Sequence, residues 1–454
     1  MLLRSINPAN GEQLSAHTPW TPAEVEEALA QVAAATPVWS NLKIQERTAR
    51  LRRAAALLRD QKAGLARMIT LEMGKLIQES EAEIEKCAWV CDYYAEHGES
   101  FLADEIIESD ADVSLVCYQS LGTVLAIMPW NFPFWQVFRC AIPALTAGNT
   151  VVLKHASNVT ECALGIEQLF AEAGFAPGVF RTLLISGSQT EPIIADGRIH
   201  AVSVTGSEAT GRAVAAVAGR ELKKTVLELG GSDPFVVLPD ADIPRTAQAA
   251  VSARFVNGGQ SCIAAKRFVL VDDIADGFLE HFMTAVASLR PGDPFDPATT
   301  LPPMARADLR QELHAQVEES LAQGAQLLTG GKPLPGPGNF YPPTVLDRVC
   351  PTTPAYEQEL FGPVAAIIRA RDEEDALRIA NDCRYGLGAS VWTRDRSRGQ
   401  HFARRLACGV AFANGVVKSD PRLPFGGIKA SGYGRELSLL GMREFVNAKT
   451  LWIK

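Results

Sequence analysis

An α/β fold built on parallel sheets is what this sequence predicts, and three observations carry that prediction. Short, almost wholly apolar runs such as Gly122-Thr-Val-Leu-Ala-Ile-Met128 have the composition of strands buried on both faces. Longer segments with apolar residues at three-to-four spacing separate them, as helices that cover a sheet do. Two such strand–helix series follow one another, and the 454 residues are enough for two or three domains.

In chain order, residues 22–37 and 45–70 read as helices, with Leu51, Ala55 and Leu58 on one buried stripe. A further helix over 76–98 should stop at Gly98, and 112–118 alternates like an edge strand. The first series then begins. Gly122–Met128 is a strand, Phe134–Ala147 a helix that Pro143 can kink, Thr150–Lys154 a strand and 159–173 a helix. Strands at Arg181–Ser186, Ile199–Val204 and Thr225–Leu229 follow, with a helix at Thr210–Ala218. The second series starts at Pro234-Phe-Val-Val-Leu238 and runs to about 430. Residues 333–343 are a Pro- and Gly-rich loop, and the tail Thr450–Lys454 is a strand without an evident partner in its own domain.

The net charge of −8 argues against a nucleic-acid footprint, which needs basic patches. No apolar run reaches the length of a membrane span, and the N-terminal segment lacks the apolar core of a signal peptide. Nine scattered cysteines read as reduced thiols of a cytoplasmic protein; Cys87 and Cys91 have no partners at zinc-site spacing, so no metal site is expected.

Four motifs lie at strand ends. Pro129-Trp-Asn-Phe-Pro133 ends a buried strand and offers the Asn131 amide to a developing oxyanion. Lys154-His-Ala-Ser157 places a lysine where it can reach a phosphate or a ribose hydroxyl. Val204-Thr-Gly-Ser-Glu-Ala-Thr-Gly211 opens a helix whose free N–H groups suit a pyrophosphate. In Glu357-Gln-Glu-Leu-Phe-Gly-Pro363, Glu359 can accept from a ribose and Phe361 can lie against a flat ring. The strongest pairing is Cys262, on the Gly-rich run Phe255–Ile263, with Glu228 in Leu227-Glu-Leu-Gly-Gly231: a reachable thiol and a base for covalent chemistry at a carbonyl carbon. Taken alone, ordinary roles are favoured: Asn131 satisfying its turn, Lys154 as a solvated strand end and Cys262 as a small buried hydrophobe.

Jointly, and in this order, these motifs resemble the aldehyde dehydrogenase superfamily from Ser5-Ile-Asn-Pro-Ala-Asn-Gly11 to Pro424-Phe-Gly-Gly427 and the terminal strand. The segments Met128–Arg139, Glu228–Pro234 and Val417–Gly426 are most similar to its bacterial succinate-semialdehyde dehydrogenase branch. The resemblance implies a Rossmann-like cofactor domain (1–101 and 121–230), a catalytic domain with a second parallel sheet (231–435), and a small bridging and oligomerisation element (102–120 and 436–454). It further implies a homodimer or homotetramer, with the terminal strand joining a neighbouring subunit. Cys262 becomes the nucleophile, Asn131 the oxyanion donor and Glu228 the base that hydrolyses the thioester. Trp130, Lys154, Ser157, Gly206, Ser207, Gly211, Glu359 and Phe361 surround the dinucleotide.

Ser157 stands where NAD-preferring relatives often carry a glutamate, so NADP is the expected cofactor, with NAD as the alternative. Trp135 and Arg139 share a helix face; Arg139 matches the position that grips the far carboxylate of the substrate, and Ser419 can add a hydrogen bond. An internal ion pair is the plainer role for Arg139. The chain departs from some relatives at Val256, where they have a second arginine, so another aldehyde remains an alternative substrate, as does a non-catalytic protein on the same fold.

Overall fold

The computed structural model describes residues 2–454. Its first large sheet has six strands in the order Gly432–Tyr433, Lys224–Glu228, Ala201–Thr205, Thr123–Met128, Thr150–His155, Phe180–Thr182. Five run parallel, and Gly432–Tyr433 adds antiparallel at one edge. That last strand comes from the end of the segment that the sequence assigns to the second domain. Its Gly432 has φ +105°, and a Cβ there would lie 2.1 Å from the Leu227 carbonyl oxygen, so only glycine lets the two strands meet.

The second sheet has seven strands, in the order Gln326–Thr329, Thr344–Asp347, Val364–Ala370, Ala265–Val271, Asp233–Val237, Gly388–Trp392, Val410–Ala413. Only the Gln326–Thr329 strand is antiparallel. A third sheet pairs Val446–Ile453 with Val113–Ser120 in continuous register, and Glu105–Ile106 lies on the other side. The Val113–Ser120 segment is therefore a central strand rather than an edge, and the terminal strand has a partner within its own chain. The alternation seen in the sequence reports solvent on the faces, not a free edge.

The helical segments differ from the sequence reading in two places. Residues 45–70 form two helices, Ile44–Asp60 and Lys62–Met73, broken at Gln61. The next helix, Ile77–Phe101, passes through Gly98. A Cβ on Gly98 would come within 2.6 Å of the Thr146 methyl, so this glycine permits close helix packing instead of ending a helix. The strand read at Arg181–Ser186 is only Phe180–Thr182.

Strand register is what assembles the site. Met128 pairs with His155, Ile127 with Val204, and Thr205 with Glu228. The segments beginning at Pro129, Ala156, Gly206 and Leu229 therefore leave the first sheet at one edge, the carboxyl ends of parallel strands where ligands of such sheets bind. Among the described residues no helix is long and apolar enough to cross a membrane, and no group of three or more His, Cys, Asp or Glu is placed to hold a metal.

Candidate active site

Cys262 follows a turn that few sequences tolerate. Asn257, Gly258 and Gly259 are all left-handed, with φ of 54°, 62° and 74°. A Cβ on Gly259 would stand 2.2 Å from the Gly362 carbonyl oxygen, so the second glycine is required by space as well as by conformation. Two asparagines tie this turn to the Pro129–Pro133 loop. Asn257 Nδ2 donates to the Asn131 carbonyl (2.9 Å), and Asn131 Nδ2 donates to the Gln260 carbonyl (3.1 Å). The Asn131 amide is thereby held beside the turn that carries the thiol. Gln260 Oε1 accepts from the Ala305 N–H at 2.8 Å and closes the network. On the other side the buried Lys266 ammonium donates to the carbonyls of Ser261 (2.7 Å) and Cys262 (2.6 Å), and pairs with Glu359 Oε1 at 3.2 Å.

Burial pushes the Cys262 thiol up to about 11, with the Arg139 and Lys266 cations pulling in the opposite sense. In the free protein this environment favours the thiol over the thiolate at neutral pH. Glu228 ends the Lys224–Glu228 strand and is 2% exposed; neither of its carboxylate oxygens has a hydrogen-bond partner. Burial holds this carboxyl well above the usual range; Arg139 opposes that shift and Glu436 adds to it. A protonated acid here is stable, and it becomes a base only when water reaches it.

A cavity of about 570 Å³ runs from the carboxyl edge of the first sheet to Cys262 and Asn131. Trp130, Gly206, Ser207, Glu359 and Phe361 line it, and the Trp130 and Phe361 rings meet edge-on with centroids 5.8 Å apart. Helix Glu208–Arg220 begins at its wall, capped by Ser207, which accepts from the Thr210 N–H. Glu359 also accepts from the Gly231 N–H at 3.1 Å, so its orientation is fixed from both strand series. A nucleotide fits this set: a helix N-terminus for phosphate, a carboxylate for ribose, and apolar rings beside the thiol. Lys154 and Ser157 lie on the adjacent strand end outside the cavity lining, the lysine partly buried and the serine exposed. Gly211 is buried against Leu229, where a Cβ would fall 2.5 Å from the leucine methyl, so the glycine permits close helix-to-strand packing.

The substrate-side residues separate into two groups. Trp135 Nε1 donates to Ser419 Oγ at 3.1 Å, and the same oxygen accepts from Lys86 Nζ at 2.8 Å. Arg139, expected from the sequence to grip the far carboxylate, lies deep in the protein near both Cys262 and Glu228. It is 2% exposed, forms an ion pair with Glu436, donates to Thr205 Oγ1 at 3.4 Å, and its guanidinium sits 4.6 Å from the Phe425 ring centroid. The physical reason is that an arginine this deep needs a carboxylate, and Glu436 supplies it. Arg422, the other nearby arginine, is bonded to Asp420 at 2.9 and 2.7 Å and stays on the surface.

Sequence reasoning predicts a helix over 76–98 but misses that it braces both the Pro129–Pro133 loop and the turn before Cys262. Glu83 accepts from the N–H groups of Phe134 and Trp135 (2.8 and 2.9 Å) and from Lys75 Nζ at 2.5 Å. Glu79 accepts from the Asn257 N–H at 2.7 Å. Both acids sit on a helix that the periodicity marked only as amphipathic. The available signal was polar residues on its buried face.

Two such sheets, with a cavity lined from both strand series that reaches Cys262, are the architecture of an oxidoreductase that binds a nucleotide. The model of the aldehyde dehydrogenase family matches residues 2–451, and the chain belongs to that family. It is 51% identical to the succinate semialdehyde dehydrogenase [NAD(P)+] of Escherichia coli, over 99% of this chain and 97% of that one. It is 48% identical, over the full length of both, to a probable succinate-semialdehyde dehydrogenase [NADP(+)] of Synechocystis. The solved succinic semialdehyde dehydrogenase of Streptococcus pyogenes, in complex with NADP+, superposes with a TM-score of 0.97 at 38% identity, covering 99% of each chain.

Proposed function

We propose that this protein is an NADP-preferring succinate-semialdehyde dehydrogenase, able also to use NAD. The observation that carries the reading is that Cys262 and Asn131 line one cavity, with the Asn131 amide tied to the Gln260 carbonyl two residues before the thiol. The Cys262 thiol loses its proton to solvent and its sulfur attacks the aldehyde carbon; the carbonyl π pair moves to the oxygen, which the Asn131 side-chain amide and the Cys262 N–H hold in the thiohemiacetal. A nicotinamide held by the residues below would supply the hydride acceptor that turns this thiohemiacetal into a thioester on Cys262. Glu228 then takes a proton from water, which attacks the thioester and releases the acid. Gly206, Ser207, Glu359, Trp130 and Phe361 are assigned to holding the nucleotide. Lys154 with the neutral Ser157 is assigned to its ribose end, where a 2′-phosphate meets no carboxylate.

The enzyme is placed in the cytoplasm as a homodimer or homotetramer. Support for assembly comes from the three-stranded sheet, which leaves Ile106, Trp452 and Ile453 exposed by 74%, 50% and 54%. Light scattering in solution tests this.

The activity test is the initial rate of reduced-cofactor formation with succinate semialdehyde, against butanal as an uncharged control, with NADP and with NAD. Faster turnover of the semialdehyde with NADP is the expected result. Equal turnover of butanal would replace the substrate with a general aliphatic aldehyde, in line with Val256. A clear preference for NAD would overturn the reading of Ser157.

A further inference from the structure

We infer that Glu79 is a positioning residue for the oxyanion site: through the Asn257 N–H it sets the register of the Cys262 turn against the Asn131 loop. The inference rests on the proposed aldehyde oxidation and concerns a residue outside the cavity lining.

The Asn257 N–H needs an acceptor from elsewhere in the chain. Helix Ile243–Phe255 ends just before it; the Val256 N–H still bonds the Ser252 carbonyl, whereas Asn257, at φ 54° and ψ 33°, turns out of the helical path. Asn257 is fully buried, and a buried N–H without an acceptor costs about as much as a lost hydrogen bond. Glu79 Oε1, from 178 residues earlier, accepts from it at 2.7 Å. Glu79 stands in the first turn of the helix Ile77–Phe101, and Glu83 lies four residues on, about 6 Å along the axis. One helix therefore holds the thiol turn at Asn257 and the oxyanion loop at the Phe134 and Trp135 N–H groups.

Asn257 passes that placement on to both halves of the oxyanion site. Its side-chain amide donates to the Asn131 carbonyl at 2.9 Å and to the Gln260 carbonyl at 3.1 Å. The far end of the loop is fixed separately, by Glu83 and by His155 Nε2, which donates to the Pro133 carbonyl at 2.9 Å. The Asn131 amide spends one N–H on the Gln260 carbonyl and has a second to give an oxyanion. The aim of that second N–H relative to the Cys262 N–H depends on where Asn257 sits, and Glu79 holds Asn257 by its backbone.

What the turn uses is an acceptor rather than a charge. Lys75, the cation nearest in sequence, is committed to Glu83. Glu79 Oε2 is buried and has no donor. Burial pushes the carboxyl above its usual range, against the opposing pull of the Asn257 N–H and of Lys75. A neutral amide oxygen in the same place would hold Asn257 as well, which separates this role from that of an ion pair.

The test is kcat per NADP-binding site, counted by fluorescence titration with NADP so that losses of folded protein cancel, with succinate semialdehyde and with butanal. Glu79→Leu removes the acceptor at similar volume, and Glu79→Gln keeps it. Glu79→Leu should lower kcat about tenfold to a hundredfold, the scale of a catalytic group displaced by up to about 1 Å, with the Kd for NADP unchanged. The factor should be the same for both aldehydes, since each forms the same oxyanion beside Cys262. Glu79→Gln should retain most of the activity. A Glu79→Leu kcat equal to that of the unsubstituted enzyme would overturn the inference, as would an equal loss in Glu79→Gln or a loss confined to the semialdehyde. An unsubstituted enzyme that prefers butanal would overturn the substrate reading alone, and one that oxidises no aldehyde would overturn both.

Discussion

Two buried acid clusters flank the active site, and they differ in one respect. On one side Glu83 is surrounded by donors: two backbone N–H groups and the Lys75 ammonium use its carboxylate fully. On the other side Glu228 has none, although Arg139 and Glu436 stand close enough to influence it. Both acids are almost fully buried. The first is a scaffold, because a satisfied carboxylate has nothing left to exchange. The second is the acid proposed as the base of hydrolysis, because an unsatisfied carboxylate is receptive to water.

The comparison can be broken at its strongest point. Glu228→Gln should lower turnover by roughly a hundredfold to ten-thousandfold, the scale of a lost general base, and acylated Cys262 should accumulate in mass spectra after mixing with aldehyde and cofactor. Unchanged steady-state turnover would show that Glu228 is scaffold as well. Glu83→Ala should act on the fold instead, costing about 3–5 kcal/mol because Lys75 is left as an unpaired buried cation; denaturant unfolding measures it. A stable Glu83→Ala protein with lost activity would reverse the assignment of the two clusters.

A smaller effect sharpens the contrast through pH. The Glu228 carboxyl is raised, so the native state keeps a proton that the unfolded chain has already released. Its contribution to stability therefore falls as pH rises from the ordinary glutamate range towards the raised value. The slope is at most about 1.4 kcal/mol per pH unit. Glu228→Gln removes that slope, so its melting temperature should exceed that of the unsubstituted protein at pH 8 more than at pH 5. The smallest change is one of preference. Ser157→Glu should shift the kcat/KM ratio from NADP towards NAD by about tenfold or more, since a carboxylate beside Lys154 repels a 2′-phosphate.

How much of this was legible beforehand depends on sequence separation. The run Phe255–Ile263 shows a thiol on a glycine turn because the requirement is local: left-handed residues need Gly or Asn, and they stand in a row. The strand–helix alternation is local too, since period and apolar content are properties of short windows. The passage through Gly98 escapes a window because a glycine that ends a helix and one that admits a neighbour look alike there, and the break at Gln61 escapes it because no Gly or Pro marks the spot.

Partner choice is different in kind. Lys86 meets Ser419 across 333 residues, and Glu83 reaches Trp135 across 52, with no periodicity linking either pair. The sequence offers Arg139 to a carboxylate, and the fold shows that Glu436, 297 residues away, is one that it meets. The sequence by itself determined the fold class, the family and the residues able to do the chemistry, because those depend on local pattern and residue type. Only the tertiary structure decided which charges are neutralised and which remain free, because pairing energy depends on distance and burial, and both are set by segments far apart in the chain.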